Sequence, residues 1–155
     1  MKINWKTLII CLAIPLGVGG LSALLTSKGM TSFEQVNQPP LSPPGWLFPV
    51  VWTLLYLFMG IASYLVIESG YPARSKTAFT VYGVQLVFNF VWSIIFFTLQ
   101  AYWVAFIWLI ALWLLILLNI VLFYRLNKKA GYLLIPYLLW VTFAGYLNAA
   151  VAVLN

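Results

Sequence analysis

The chain reads as an all-α integral membrane bundle of five transmembrane helices with a long first loop acting as a lid, and three observations predict this. Five apolar stretches, Leu8–Leu25, Trp46–Ile67, Ala78–Leu99, Ala101–Tyr124 and Tyr132–Leu154, fill most of the 155 residues. Hydrophobic residues make up 65% and charged residues 6% of the chain, against about 45–50% and about 25% in a soluble domain. The only two carboxylates, Glu34 and Glu68, both fall between the stretches. A spanning helix needs about 20 mostly apolar residues, because about 30 Å of hydrocarbon is crossed at about 1.5 Å per residue. Five such spans leave no room for a second unit, so residues 1–155 form one domain.

The first span follows Lys2 and Lys6, a charge pattern that also opens signal peptides. No small-x-small cleavage signal with a polar mature start stands out after Leu25, and four further spans follow, so it is read as a span. Gly17, Gly19 and Gly20 allow close helix approach there, and the third and fourth spans expose wide apolar faces, so a homodimer is expected. The Ser27–Pro44 connection is the longest in the chain and ends in PPLSPPGW, whose prolines lock φ and remove backbone donors. Pro43, Pro44, Gly45 and Trp46 are the candidate lid over one end of the bundle; a stiff spacer is the alternative reading.

After the second span, Gly70 and Pro72 break the helix within Glu68–Thr77. Only a few residues around Gln100 separate the third and fourth spans, which predicts an antiparallel hairpin. The basic turn Arg125–Gly131 leads into the fifth span, with Gly131 suited to end a helix.

Charge then sets topology. Lys2, Lys6, Arg74, Lys76, Arg125, Lys128 and Lys129 share one side if the chain crosses five times, and Lys28 alone falls on the other. The positive-inside rule places the N-terminus in the cytoplasm and the C-terminus outside a cell membrane. The net charge of +6 is thereby explained by topology and anionic headgroups, and no nucleic-acid partner is expected.

The residue inventory narrows the chemistry. There is no histidine, one cysteine (Cys11), and no carboxylate inside a span. That argues against zinc sites, disulfides, paired-carboxylate acid–base catalysis and Cys–His nucleophiles. No ionisable group at membrane depth suits a proton pump, and no mid-membrane lysine suits a retinal Schiff base. Cys11 is read as a buried apolar side chain rather than an iron ligand, and no metal site is expected.

Polar residues inside spans must point into the bundle. Gln85, Asn89, Trp92 or Ser93, and Phe96 share one face of the third span; Trp140, Ala144 and Asn148 share one face of the fifth; Pro49, Trp52, Tyr56, Gly60 and Ser63 share one face of the second. Interhelical glue explains Gln85 and Asn119 best, whereas Asn89 and Asn148 fit glue or a binding site. Of eight tryptophans, Trp5, Trp46 and Trp103 sit at span ends as interfacial belt residues. Trp108 and Trp113 are deeper but fit a lipid-facing position. Trp52 lies about 10 Å, and Trp140 about 12 Å, inside its helix, too deep for a belt. These two are candidate pocket walls.

Three runs carry a family resemblance: PPLSPPGWLFPVVWTLLYLFMGIASYL (Pro39–Leu65), YGVQLVFNFVWSIIFF (Tyr82–Phe97) and IPYLLWVTFAGYLNAAV (Ile135–Val151). They are similar to the tryptophan-rich sensory protein/translocator protein family, also known as peripheral-type benzodiazepine receptors, and the chain resembles its bacterial members over essentially its whole length. The resemblance implies a five-helix bundle with a cavity opening toward the first loop. That cavity would bind tetrapyrroles such as protoporphyrin IX or haem, as ligand or substrate rather than tightly held cofactor, and isoquinoline carboxamides and benzodiazepines.

By motif, the implied ligand-binding residues are Trp52, Asn89, Phe90, Trp140, Phe143, Ala144 and Asn148. Trp52 and Trp140 match the tryptophans tied to light- and oxygen-dependent breakdown of protoporphyrin IX and are the implied catalytic pair. A passive tetrapyrrole or sterol-like lipid carrier and a stress-responsive regulatory scaffold are the alternatives. Two departures stand out. Tyr146 is followed by no basic residue, so the animal sterol pattern is missing at the end of the fifth span; a weak match occurs at Leu122–Tyr124–Lys128. Leu41 stands where an aromatic is usual between the proline pairs.

Overall fold

The computed structural model describes residues 2–70 and 72–155. Among these, all regular structure is helical: α1 (Trp5–Gln35), α2 (Leu47–Glu68), α3 (Pro72–Ser93) continuing into a π-helical turn (Ile94–Thr98), α4 (Tyr102–Leu126), a short α5 (Lys128–Leu133) and α6 (Ile135–Leu154). Five of the resulting segments are long and apolar enough to cross a membrane, the fifth formed by α5 and α6 together. Helix α1 packs on α2 and on the π turn, α3 on α4, and α4 on α6.

The first helix is longer than its apolar stretch. It runs 31 residues to Gln35, where the sequence reading ends the span at Leu25 and begins a loop at Ser27. Hydropathy marks where lipid ends, not where a helix ends. Residues 26–35 are polar enough to leave the hydrocarbon, yet Phe33 is buried in an aromatic nest with Phe48, Phe96 and Phe97, ring centroids 6.0, 5.4 and 5.5 Å away. That burial holds the extra turns in helical form. The expected long first loop therefore shrinks to residues 36–46.

This connection is strapped to the end of α6. The Asn37 amide donates to Asn155 Oδ1 (3.1 Å), Asn37 Nδ2 to the Leu154 carbonyl (3.3 Å) and Asn155 Nδ2 to the Asn37 carbonyl (3.1 Å). The Tyr146 hydroxyl reaches the Pro40 carbonyl at 2.6 Å. Within the strap, Ser42 N–H donates to the Pro39 carbonyl, closing a tight turn with Leu41 in the left-handed region at φ 69°. Leu41 itself is exposed.

Two further boundaries move. Helix α3 starts at Pro72 rather than Ala78, because proline is preset for the first helical position, where its missing N–H has no partner to lose. The basic turn breaks at Asn127, not Gly131: Asn127 is extended, and its Oδ1 accepts from Ala130 N–H (3.2 Å), capping α5. Gly131 lies inside α5, where a Cβ would sit 2.6 Å from Tyr124 Cβ, so it serves close approach of α5 to α4. Helix α6 restarts at Ile135 with Pro136 in its first turn.

Candidate functional site

The three polar stripes converge. Tyr56 Oη donates to Asn89 Oδ1 (2.9 Å), Asn89 Nδ2 to Tyr137 Oη (2.8 Å), and Tyr137 Oη to Gln85 Oε1 (2.7 Å). This chain ties α2, α3 and α6 together. One turn further along α3, Trp92 Nε1 donates to Asn148 Oδ1 (3.1 Å), and Asn148 Nδ2 donates to the Tyr102 carbonyl (2.8 Å). Both asparagines that the sequence leaves open between glue and site are thus buried cross-helix struts. Asn119 is buried too, and neither its Nδ2 nor its Oδ1 has a partner among the described residues.

Beside the first strut lies a cavity of about 550 Å³ between α1, α2 and α3. Its aromatic wall is Phe48, Trp52, Tyr56, Trp92 and Phe97, with Asn89 at its base. Trp52 stacks on Tyr56 (centroids 5.8 Å, interplanar 28°), and Trp92 stacks on Phe96 (5.2 Å, 23°). The π turn sets the last of these rings. Leu99 N–H donates to the Ile94 carbonyl five residues back, and the extra residue per turn carries Phe97 toward α1. On α1, Ser22 Oγ meets Ser93 Oγ at 2.5 Å, and Thr26 Oγ1 donates to the Ser22 carbonyl at 2.7 Å. Glu34 and Gly45 form part of the rim, close enough that a Cβ on Gly45 would lie 2.7 Å from Glu34 Oε1.

A second, narrow crevice of about 20 Å³ also borders Trp52, together with Phe48, Trp92, Trp140, Ala144 and Asn148. It has room for about one water. Trp52 and Trp140 therefore do meet one shared space, but Phe48 stands edge-on to Trp140 (6.0 Å, 70°) and the roomy cavity lies on the α1 side.

The sequence-derived residues thus divide. Trp52 lines both spaces, Asn89 the large one, and Trp140, Ala144 and Asn148 the crevice. Phe143, half-buried, packs on Trp140 (5.5 Å) and Tyr146 (6.1 Å). Phe90 lines neither space, and its carbonyl accepts from Ser93 Oγ. Of the four lid candidates, Gly45 alone lines the cavity; Trp46 is 67% exposed, as a belt residue would be.

Trp5 and Trp103 are exposed as well. Trp108 and Trp113 are not simply lipid-facing. Trp108 stacks on Phe88 (4.3 Å, 15°) and donates to its carbonyl, and Trp113 Nε1 donates to Thr142 Oγ1 (2.8 Å). Cys11 is buried, and Gly19 fits against the Tyr56 ring of the same chain.

What the sequence reading missed is the contribution of α1. Ser22, Thr26 and Glu34 line the cavity from a helix read as a plain span followed by a loop. Trp92 and Tyr56 were detectable, since both fall on the predicted stripes.

Five long apolar helices, with an aromatic cavity between the first three, define a multi-pass helical membrane protein. The chain belongs to the TspO/MBR family, whose model matches residues 11–154. It is 36% identical to the tryptophan-rich protein TspO of Chlorobaculum tepidum, over 96% of both chains. It is 32% identical to the tryptophan-rich sensory protein of Cereibacter sphaeroides, over 100% of this chain and 95% of that one. The human translocator protein is 31% identical over 90% of this chain and 84% of its own.

Proposed function

We propose that the chain binds a tetrapyrrole, protoporphyrin IX in the first instance, in the cavity between α1, α2 and α3, and promotes its light- and oxygen-dependent degradation. The observation that carries this reading is the wall of Trp52 and Trp92, two indoles facing a space of about 550 Å³. Pockets for small molecules run about 300–1,000 Å³, mostly apolar with few orienting groups. Indole faces suit a flat, apolar ring. With no histidine in the sequence, a metal-free ring fits better than one needing a strong axial ligand.

In this reading the porphyrin absorbs the light and Trp52, at contact distance, donates an electron to the excited ring. The reduced ring passes that electron to dioxygen, giving superoxide, and the indole radical cation takes an electron back from the ring. The resulting porphyrin radical cation combines with superoxide, so that one dioxygen is consumed per ring oxygenated and the indole is restored. Trp140 stands behind Phe48 and extends the indole path toward α6. Membrane-reconstituted protein illuminated with protoporphyrin IX should lose porphyrin absorbance and gain new absorbing products, and Trp52→Phe with Trp140→Phe should slow this by more than tenfold while binding persists. Turnover that survives both substitutions overturns the indole mechanism. Unchanged porphyrin appearing across the bilayer, with no light-dependent loss, assigns the cavity to a carrier.

A further inference from the structure

A separate recess of about 380 Å³ adjoins the cavity at the same end of the bundle. Two backbone features build it. Gly29 of α1 lies directly on the Phe97 carbonyl, a contact that any Cβ would prevent. Gln100 closes the turn into α4 in the left-handed region, at φ 53°.

Lys28 lines this recess with Thr98 and Gln100, so an ammonium, a hydroxyl and an amide are available as donors in one place. Among the described residues, Lys28 is also the one basic side chain at this end. The other seven basic residues lie at the start of the chain through the first turn of α1 or around the α2–α3 and α4–α5 connections. Leu24 and Leu25, one turn along α1, give the recess an apolar flank, and Ser27 and Phe97 line both the recess and the aromatic cavity. Glu34, beside Gly45 in the lining of the aromatic cavity, is an acidic side chain, so it does not offer an anion a second cationic partner.

We infer that the Lys28 recess is an anion subsite of the main cavity. A ligand with a flat apolar body lies against Trp52 and Trp92 and passes a carboxylate or phosphate arm over Ser27 and Phe97 to the Lys28 ammonium. This rests on the tetrapyrrole reading only for the identity of the body; a porphyrin dicarboxylic acid supplies the arm. A lipid headgroup phosphate offers the same anion chemistry.

The test is tryptophan-fluorescence quenching of the full-length protein in phosphatidylcholine nanodiscs, titrated with protoporphyrin IX and with its dimethyl ester. The ratio of the two affinities, compared between wild type and Lys28→Gln, cancels their different partition into lipid. An exposed ion pair supports an acid preference of about two- to fivefold, weakened by added salt. Lys28→Gln should remove that preference and leave ester binding unchanged. A ratio unaltered by the substitution overturns the subsite while ring binding stands. Quenching by neither compound overturns the cavity reading itself. Nanodiscs containing phosphatidylglycerol separate the two anion sources: a preference retained there supports the ligand arm, and one abolished there hands Lys28 to lipid phosphate and overturns the assignment.

Discussion

Asn89 is the point where three helices are joined by one side chain, and its removal has a calculable cost. The amide is 2% exposed, accepts from Tyr56 on α2 and donates to Tyr137 on α6. Leucine matches its length and removes both bonds. Within membranes, a buried side-chain hydrogen bond contributes about 0.6 kcal/mol on average and about 1.7 at most. Tyr137 keeps a partner in Gln85. Tyr56 loses its acceptor, but it lines the cavity and so is not sealed in hydrocarbon. The expected cost of Asn89→Leu is therefore about 1–3 kcal/mol. Equilibrium unfolding by a denaturing detergent, followed by tryptophan fluorescence, measures it. In a double-mutant cycle with Tyr56→Phe, the coupling should be about 0.6–1.7 kcal/mol. A single-mutant cost below about 0.5 kcal/mol, or strict additivity, would refute the strut as drawn.

Two other positions give opposite signs. Gly29→Ala drives a methyl group into the Phe97 backbone, which has no flexible end to yield, so α1 must shift; we expect a loss of about 1–3 kcal/mol and, if the cavity opens with it, weaker ligand quenching in the same fluorescence titration. Asn119→Leu replaces a buried amide without a protein partner by an apolar group of similar size, and should stabilise the fold by about 1–2 kcal/mol; destabilisation in the detergent titration would show that the amide is bonded after all.

Fold class and the number of spans were legible because hydropathy is a property of composition over about 20 residues, which lipid reads much as a window does. The boundaries were not, since helices continue wherever packing supports them. Phe33 keeps α1 helical beyond its apolar stretch, and nothing within Ser27–Gln35 announces an aromatic nest supplied by α2 and the π turn. The stripes on α2, α3 and α6 followed from 3.6-residue periodicity, so Trp52, Asn89 and Trp140 could be picked out. Their division between two spaces could not, because it depends on Phe48 and Trp92 standing between them, a matter of helix rotation. Lys28 is a mixed case. Its isolation among the cations is plain in the sequence, whereas the recess around it exists only because Gly29 lets α1 touch the π turn.

The accounting of polar atoms then says how such a cavity selects. Asn89 Oδ1 and Nδ2 are engaged by two tyrosines, Asn148 by Trp92 and the Tyr102 carbonyl, Ser22 by Ser93, and Thr53 by the Pro49 carbonyl. These groups are occupied in holding the bundle, so directional hydrogen bonding has little left to offer at the base. In the proposed reading, recognition there would fall to ring faces and to shape. Among the described residues that line the two spaces, charge enters with Glu34 in the cavity and with Lys28 in the recess that shares Ser27 with it. On the binding proposed above, a body entering that cavity would be oriented by its edge: the apolar edge inward against Trp52 and Tyr56, and an acidic edge at the mouth, on the Lys28 side. Reversing the pair, with Lys28→Glu and Glu34→Lys together, should preserve affinity for a neutral ring while shifting the side on which an acidic arm is held.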